Sequence, residues 1–148
     1  MKITVEEIAN ITETEVIVKC KERCDNVNSI IATLRLFDNN ITVKADGKGF
    51  LISAPDIFYF ENVEDKVFCY TEKEVYETSY RLYELENIFG NSTFLRINKT
   101  IILNANKIKS FKAALNGRME AKLFNGEMVE ISRNYVPALK LMLGGNRK

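Results

Sequence analysis

The sequence contains no histidine, and this absence excludes several classes of chemistry. Without histidine, the chain cannot carry a Ser-His-Asp or Cys-His catalytic arrangement, a phosphorelay histidine or a histidine metal ligand. Its three cysteines, Cys20, Cys24 and Cys69, are too few for a four-ligand zinc site and include no CxxC pair. A Cys20–Cys24 disulfide is conceivable, but reduced thiols are the simpler expectation. We therefore expect no metal and no cofactor. Glu61, Glu64 or Asp65 could serve as acid–base groups, but residues 61–65 are more simply a solvated turn. There is no nucleophile and no phosphate-cradling glycine loop, so we expect no small-molecule substrate and no enzymatic activity.

The chain also lacks a long apolar run that could cross a bilayer. Its first residues, MKITVEEIAN, place Glu6 and Glu7 where a signal peptide would have its apolar region. A cytoplasmic protein is the expectation. Hydrophobic residues make up 46% of the 148 residues, which is enough to build a core without disulfides.

The net charge of +1 conceals a strong asymmetry along the chain. Residues 1–90 contain 10 Lys and Arg against 17 Asp and Glu, whereas residues 91–148 contain 11 against 3. A basic C-terminal third in a neutral chain suggests a polyanionic partner such as nucleic acid. The same charge would also suit a solvated face, or a face that docks on the acidic part of the chain.

The spacing of apolar residues predicts a mainly β chain that is α+β overall. At the N-terminus we expect short strands at residues 2–5 and 15–19, then a helix from Asp25 that ends near residues 39–40. We treat residues 1–47 as a small strand-strand-helix piece and residues 48–148 as the main domain. Within the main domain we expect short strands, a helix around Leu82, and a last helix over about 133–143. Gly144 and Gly145 then end this helix.

The final hairpin allows a prediction of strand register. A two-residue turn would mix apolar and polar faces, whereas a three-residue turn at 125–127 places Leu123 opposite Val129 and Lys122 opposite Glu130. We therefore expect the three-residue turn.

The stretch FLRINKTIILN, residues 94–104, mixes cations and amides with apolar residues. In one straight strand, Lys99 would lie in the middle of an apolar row, where an unpaired ammonium is costly. We therefore expect the strand to end at Asn98 and a turn to form at Asn98-Lys99-Thr100. A second bend, Ser132-Arg133-Asn134, also carries a cation beside an amide and a hydroxyl. Such groups suit DNA bases and phosphates, although a plain surface turn is the alternative for each bend.

Three stretches together resemble the LytTR DNA-binding domain of bacterial transcription regulators. They are DIFYFE at 56–61, FLRINKTIILN at 94–104 followed by Lys107-Ile108, and ISRNY at 131–135. Their order and spacing also agree, and the resemblance covers residues 50–143. It implies an elongated, mainly β fold with short helices that presents loops to successive major grooves of double-stranded DNA.

The resemblance also implies roles for individual residues. Lys99 and Arg133 occupy base-contacting positions, and Lys66 joins them through a looser alignment. Residues that contact the DNA backbone or support the loops would be Arg96, Asn98, Thr100, Asn104, Lys107, Ser132, Asn134 and Tyr135. Asn98 stands where the family often has histidine.

The resemblance points to small, response-regulator-like proteins without a receiver domain, and it implies a small membrane-bound protein that restrains them. We expect a homodimer, because the family's target sites are paired repeats and two linked domains gain avidity. Residues 1–47 would serve dimerisation or partner docking. The alternative function is a protein–protein interaction module whose basic surface does not bind DNA specifically.

Overall fold

The computed structural model describes residues 1–37 and 39–144 and shows a mainly β fold, as predicted. The strands are β1 (Asn40–Ala45), β2 (Lys48–Ser53), β3 (Tyr59–Val63), β4 (Lys66–Tyr70), β5 (Val75–Thr78), β6 (Phe94–Arg96), β7 (Ile101–Asn104), β8 (Ile108–Ala113), β9 (Met119–Leu123) and β10 (Met128–Ile131). The helices are α1 (Asp25–Leu36), α2 (Leu82–Ile88) and α3 (Val136–Met142). Gly145 and the rest of residues 145–148 lie outside the described residues. No helix within the described ranges is both long and apolar enough to cross a membrane.

The strands form two antiparallel sheets. The larger has seven strands in the order β2-β1-β5-β4-β3-β7-β6, and the smaller has three in the order β10-β9-β8. Asp46 and Gly47 close the β1–β2 hairpin with positive φ angles of 52° and 77°, as such tight turns require. The expected domain boundary between residues 47 and 48 falls in this turn, and β1 pairs with β5 of the main sheet.

Two hydrophobic cores lie on opposite faces of the larger sheet. Phe60 and Ile102 face a core closed by Leu85 of α2. Their neighbours Tyr59 and Leu103 face a second core, which the smaller sheet and α3 close. Because successive side chains of a strand point to opposite faces, β3 and β7 are buried on both sides. This double burial fixes where the loops at their ends can lie.

The predicted N-terminal strands are wrong. Residues 1–24 form neither helix nor strand, and their apolar side chains are exposed: Ile3 is 80% and Ile17 is 74% accessible. β-branched residues favour a strand only where another strand pairs with it, and the described part of the chain provides none here. The helix that follows is confirmed, but Cys24 and not Asp25 is its N-cap, and it ends at Leu36, earlier than the expected 39–40.

The predicted register of the last hairpin is also wrong. The turn has three residues, but they are 124–126, so Ala121 faces Val129 and Glu120 faces Glu130. Gly126 supplies the positive φ of 90° that this turn needs. The apolar faces still agree, because the shift from the preferred register is two residues and the side-chain period of a strand is two. The predicted last helix begins later, as a 3₁₀ turn (Arg133–Tyr135) precedes α3.

Candidate nucleic-acid interface

Three loops meet at one edge of the strands, which we call the loop edge. They are the turn at 64–65 between β3 and β4, the bend at 98–100 between β6 and β7, and the junction at 132–134 after β10. The backbone N–H of Asn62 donates to Thr100 O at 2.8 Å, and that of Ser132 donates to Ile97 O at 2.8 Å. These two bonds link the end of β3 to the bend at 98–100, and the residue before that bend to the junction after β10, so distant parts of the sequence form one surface.

The bend at 98–100 forms as the sequence predicts. Strand β6 ends at Arg96, and β7 begins at Ile101. The bend is closed by the backbone N–H of Ile97, which donates to Ile101 O at 3.0 Å. Ile97 is fully buried and Ile102 is 1% exposed, whereas Lys99 is exposed at the tip. The apolar anchors on either side therefore hold the cation of Lys99 at the surface.

Asn98 holds the bend through both polar atoms of its amide. Its Oδ1 accepts hydrogen bonds from Thr100 N at 2.9 Å and Thr100 Oγ1 at 3.1 Å, while Nδ2 donates to Glu130 O at 3.2 Å. A single side chain thus shapes the bend and ties it to β10. Asn98 acts as a positioning residue for Lys99.

Arg96 ties the same bend to α2. Its Nη1 donates to Lys99 O at 2.8 Å, and its Nη2 lies 2.6 Å from Glu86 Oε1. The Arg96 side chain is only 19% exposed. Because the guanidinium is largely buried and its charge is paired, Arg96 supports the bend from beneath.

Arg133 projects from the junction after β10 and packs against the β8–β9 turn. A Cβ on Gly117 would lie only 2.9 Å from Cγ and Cδ of Arg133, and Gly117 has φ +77°. The turn therefore leaves room for the aliphatic part of the arginine by omitting a side chain. Asn134 is exposed nearby, and Ser132 is half-buried. Tyr135 is half-buried and packs on the second core.

The cations at the loop edge fall into two groups. Four are exposed and make no ion pair among residues 1–37 and 39–144: Lys66, Arg81, Lys99 and Arg133. By contrast, Arg118 lies 3.6 Å from Glu130, and Arg96 is paired as described. Three of these four unpaired charges, Lys66, Lys99 and Arg133, are those that the sequence predicts to contact bases, and the paired ones stabilise the neighbouring loops.

Asn104 does not lie at the loop edge. Strand β7 carries it about 10 Å from Ile101, and its side chain is 1% exposed. Its Nδ2 donates to Ile57 O at 3.0 Å, and its Oδ1 accepts from Thr93 Oγ1 at 2.8 Å and Asn106 N at 3.1 Å. Asn104 is therefore closed to DNA and holds the β7–β8 connection together.

Lys107 also lies at this opposite end. It follows Asn104 in the 3₁₀ turn Ala105–Lys107, and its Nζ lies 4.9 Å from the centre of the Phe58 ring. Lys107 therefore differs from Lys99, because it is half-buried and makes a cation–π contact, whereas Lys99 is exposed. The structure thus brings together most of the predicted site residues and leaves Asn104 and Lys107 apart.

Three further residues at the loop edge escape the sequence prediction. Gly117 supports Arg133, Glu86 pairs with Arg96, and Arg81 donates from Nη1 to Asp65 O at 3.4 Å. The Asn116-Gly117 pair signals a turn, but only the fold shows which side chain the turn contacts. The other two contacts join segments that are distant in sequence, so no local pattern indicates them.

Comparison with known proteins identifies a family for most of the chain. Residues 47–144 match the LytTr DNA-binding domain. A solved LytTr DNA-binding domain from Bacillus cereus has the same fold, with a TM-score of 0.67 and 24% identity over 71% of this chain and 96% of that one. The sensory transduction protein LytT of Enterococcus faecalis is 26% identical over 104 residues, and this chain spans only 43% of its length.

Another relative is similar over almost its whole length. An uncharacterised HTH-type transcriptional regulator of Staphylococcus aureus is 28% identical over 142 residues, which cover 95% of this chain and 96% of the relative. In the structure described here, strands separate α1, α2 and α3 along the chain, so no two of them form a helix–turn–helix. The family match spans well over half of the sequence, and the solved domain shares the fold, so this chain belongs to the LytTr DNA-binding domain family.

Proposed function

We propose that this protein is a sequence-specific transcription regulator that reads bases in successive major grooves with its loop edge. The observation that carries the proposal is that Lys66, Lys99 and Arg133 are exposed without an ion pair among the described residues, at an edge where backbone hydrogen bonds link the strand ends and loops. Unpaired cations on a fixed surface suit a polyanion. Side chains that project from loop tips can enter a groove.

Each residue has a defined task in this proposal. Arg133 donates two parallel hydrogen bonds to O6 and N7 of a guanine, and Lys99 and Lys66 reach the same kinds of acceptor. The hydroxyl of Thr100 and the amide of Asn134 contact phosphates, which position the protein without reading sequence. Arg96, Asn98, Ser132 and Tyr135 hold the loops in place.

A mobility-shift titration with genomic fragments tests the DNA-binding part. The affinity should fall steeply with salt, with a slope of about 0.9 per phosphate contacted. A fragment that carries the target site should be retained above nonspecific DNA. Absence of retardation at low salt would instead favour the protein–protein interaction module.

We further propose that two copies act together at paired sites in the bacterial cytoplasm, where linked domains gain avidity. Sedimentation of the pure protein tests this pairing, and a monomer at micromolar concentration would count against it. The restraining membrane protein that the sequence resemblance implies stays a prediction.

A further inference from the structure

The larger sheet ends in an unusually open edge strand. Strand β2 pairs only with β1, and all six of its residues keep one regular register. Its outer side therefore offers backbone N–H and C=O groups for another strand. Leu51 is 68% and Phe50 is 39% exposed, and the strand contains no proline. Proteins usually protect such edges, so a regular six-residue edge with apolar residues at its centre indicates a surface that pairs.

The other strand edges are protected or short. Strand β8 has a register shift between Ile108 and Ser110, and it carries the exposed Lys109 and Lys112. Bulges and lysines are common means of blocking strand addition. Strand β6 has only three residues, and the bond from Ser132 N to Ile97 O joins the ends of β6 and β10. Among the edges of the two sheets, β2 is the one suited to accept a strand.

A segment suited to pair with β2 lies exposed in the same chain. Residues 2–7, KITVEE, alternate apolar and polar residues, but they pair with nothing in the described structure. Ile3 is 80% and Val5 is 83% exposed. We call residues 2–7 the N-terminal arm.

The arm and β2 are complementary in pattern and in charge. An antiparallel pairing can place Val5 opposite Phe50 and Ile3 opposite Ile52, so that apolar residues share one face. On that face the Phe50 ring lies 5.3 Å from the Tyr76 ring, and Ile52 and Tyr76 pack on the first core. Added apolar side chains would extend this core. The same register puts Glu7 opposite Lys48, a pair of opposite charges.

We propose that the N-terminal arm of one copy adds as a strand to β2 of a second copy, and that the two copies exchange arms reciprocally. Such an exchange repeats one contact twice around a two-fold axis. Within one described chain the arm is not on its own β2, so arm and edge are both available to a partner. This inference rests on the proposed pairing of two copies, and it assigns the N-terminal arm and β2 as the dimer interface.

Cysteine cross-linking of the full chain tests the exchange. The background carries Cys20→Ser and Cys24→Ser, because these two thiols are exposed. Burial raises the pKa of the Cys69 thiol to about 12, so that thiol stays protonated and unreactive. One protein then receives Thr4→Cys and the other Leu51→Cys, at positions opposite each other in the proposed register. The proteins carry tags of different size, are mixed without DNA and are oxidised with diamide.

The expected product is the mixed disulfide dimer in at least tenfold excess over the same mixture with Thr12→Cys in place of Thr4→Cys. Thr12 is an exposed threonine outside the arm, so it controls for random collision. Self-linking of the Leu51→Cys protein alone would indicate pairing of β2 with β2 and would overturn the proposal. An intrachain disulfide in the Thr4→Cys, Leu51→Cys double variant without interchain dimers would also overturn it, as would no mixed dimer above the control.

A second variant tests the interface without cysteine chemistry. The double variant Ile3→Lys, Val5→Lys should weaken self-association at least tenfold in sedimentation. The substitutions replace the two apolar side chains that would extend the first core with charged ones. The melting temperature of the monomer should not change, since both residues are exposed in the single chain. Unchanged self-association would contradict the arm exchange. Retained binding of single sites by a monomer would leave the proposed DNA-binding function standing, so the two failures are distinguishable.

Discussion

The two ends of β7 carry the same residue types in different environments. At the loop edge, Asn98 shapes a surface bend and Lys99 is exposed without an ion pair among the described residues. At the other end, which we call the far end, Asn104 is buried and Lys107 packs over an aromatic ring. The comparison shows that an amide and a lysine can shape an exposed surface or pack inside the protein. The end of the strand at which they lie decides which.

The buried polar groups at the far end, unlike the exposed Lys73, are satisfied within the protein. Tyr59 is stacked on Tyr70, with ring centres 4.2 Å apart, and its hydroxyl donates to Glu127 Oε2 at 2.9 Å. Burial and the hydrogen bond to Glu127 raise the pKa of Tyr59, so the phenol stays protonated and remains a donor at neutral pH. The far end therefore contributes to stability, whereas the loop edge leaves positive charge for a partner.

The largest effect should come from Asn104→Ala, and it should be on stability alone. The change removes three hydrogen bonds and leaves the buried Thr93 hydroxyl and Ile57 carbonyl unpaired. We expect the free energy of unfolding to fall by about 3 kcal/mol, measured by urea denaturation. The folded variant should bind DNA as the wild type does. Weaker DNA binding with an unchanged free energy of unfolding would place Asn104 in the DNA interface and contradict the proposed difference between the two ends.

Arg133→Ala should have the next largest effect, and it should be on binding alone. Loss of a two-bond contact to guanine should weaken binding to the target site by about 1–3 kcal/mol, measured by a titration at fixed salt. Stability should change by less than about 0.5 kcal/mol, because the side chain is exposed. Arg133→Lys keeps the charge without the paired bonds, so it should not restore specificity. Full affinity in Arg133→Ala would refute the assigned role.

Lys99→Ala at the loop edge and Lys73→Ala at the far end are a matched pair of variants that compare the same substitution at the two ends of the larger sheet. Both lysines are exposed in turns, and each variant loses one positive charge. We expect Lys99→Ala to weaken binding to the target site about tenfold, since one contact to a base is lost. Lys73→Ala should bind as the wild type does. Equal losses would mean that affinity follows net charge and not the position of the charge.

The smallest effect on binding should come from Gly117→Ala, with Gly126→Ala as its control. Both glycines have positive φ, so each substitution should destabilise the fold by about 1–2 kcal/mol. Only the Cβ at 117 would push on Arg133, since nothing lies within 4 Å of a Cβ at 126. We expect a severalfold loss of affinity at 20 °C in Gly117→Ala alone. The same loss in both would show that it comes from reduced stability.

Much of the fold and of the loop edge follows from local patterns. The cost of burying the Lys99 ammonium in an apolar row was enough to predict the bend at 98–100. The apolar stripe that begins at Val27 predicted α1. These features depend on residues that are close together in the chain, so they can be predicted from the sequence.

The features that the sequence did not indicate depend on contacts between distant segments. Residues 2–5 have a strand-like composition but no partner strand in the described chain. The last hairpin kept its apolar match at a turn one residue earlier, because several registers satisfy the same alternation. Asn104 stands next to a turn and resembles a surface amide, and only the contact with Ile57 shows that it is internal.

Selection of binding sites from random double-stranded DNA, with wild type and Arg133→Ala in parallel, tests the central claim most directly. We predict that the wild type enriches a paired motif, and that Arg133→Ala enriches the same motif with the preference lost at one base pair in each half. No enrichment by the wild type, or an identical motif from both proteins, would contradict the claim that the loop edge reads DNA sequence.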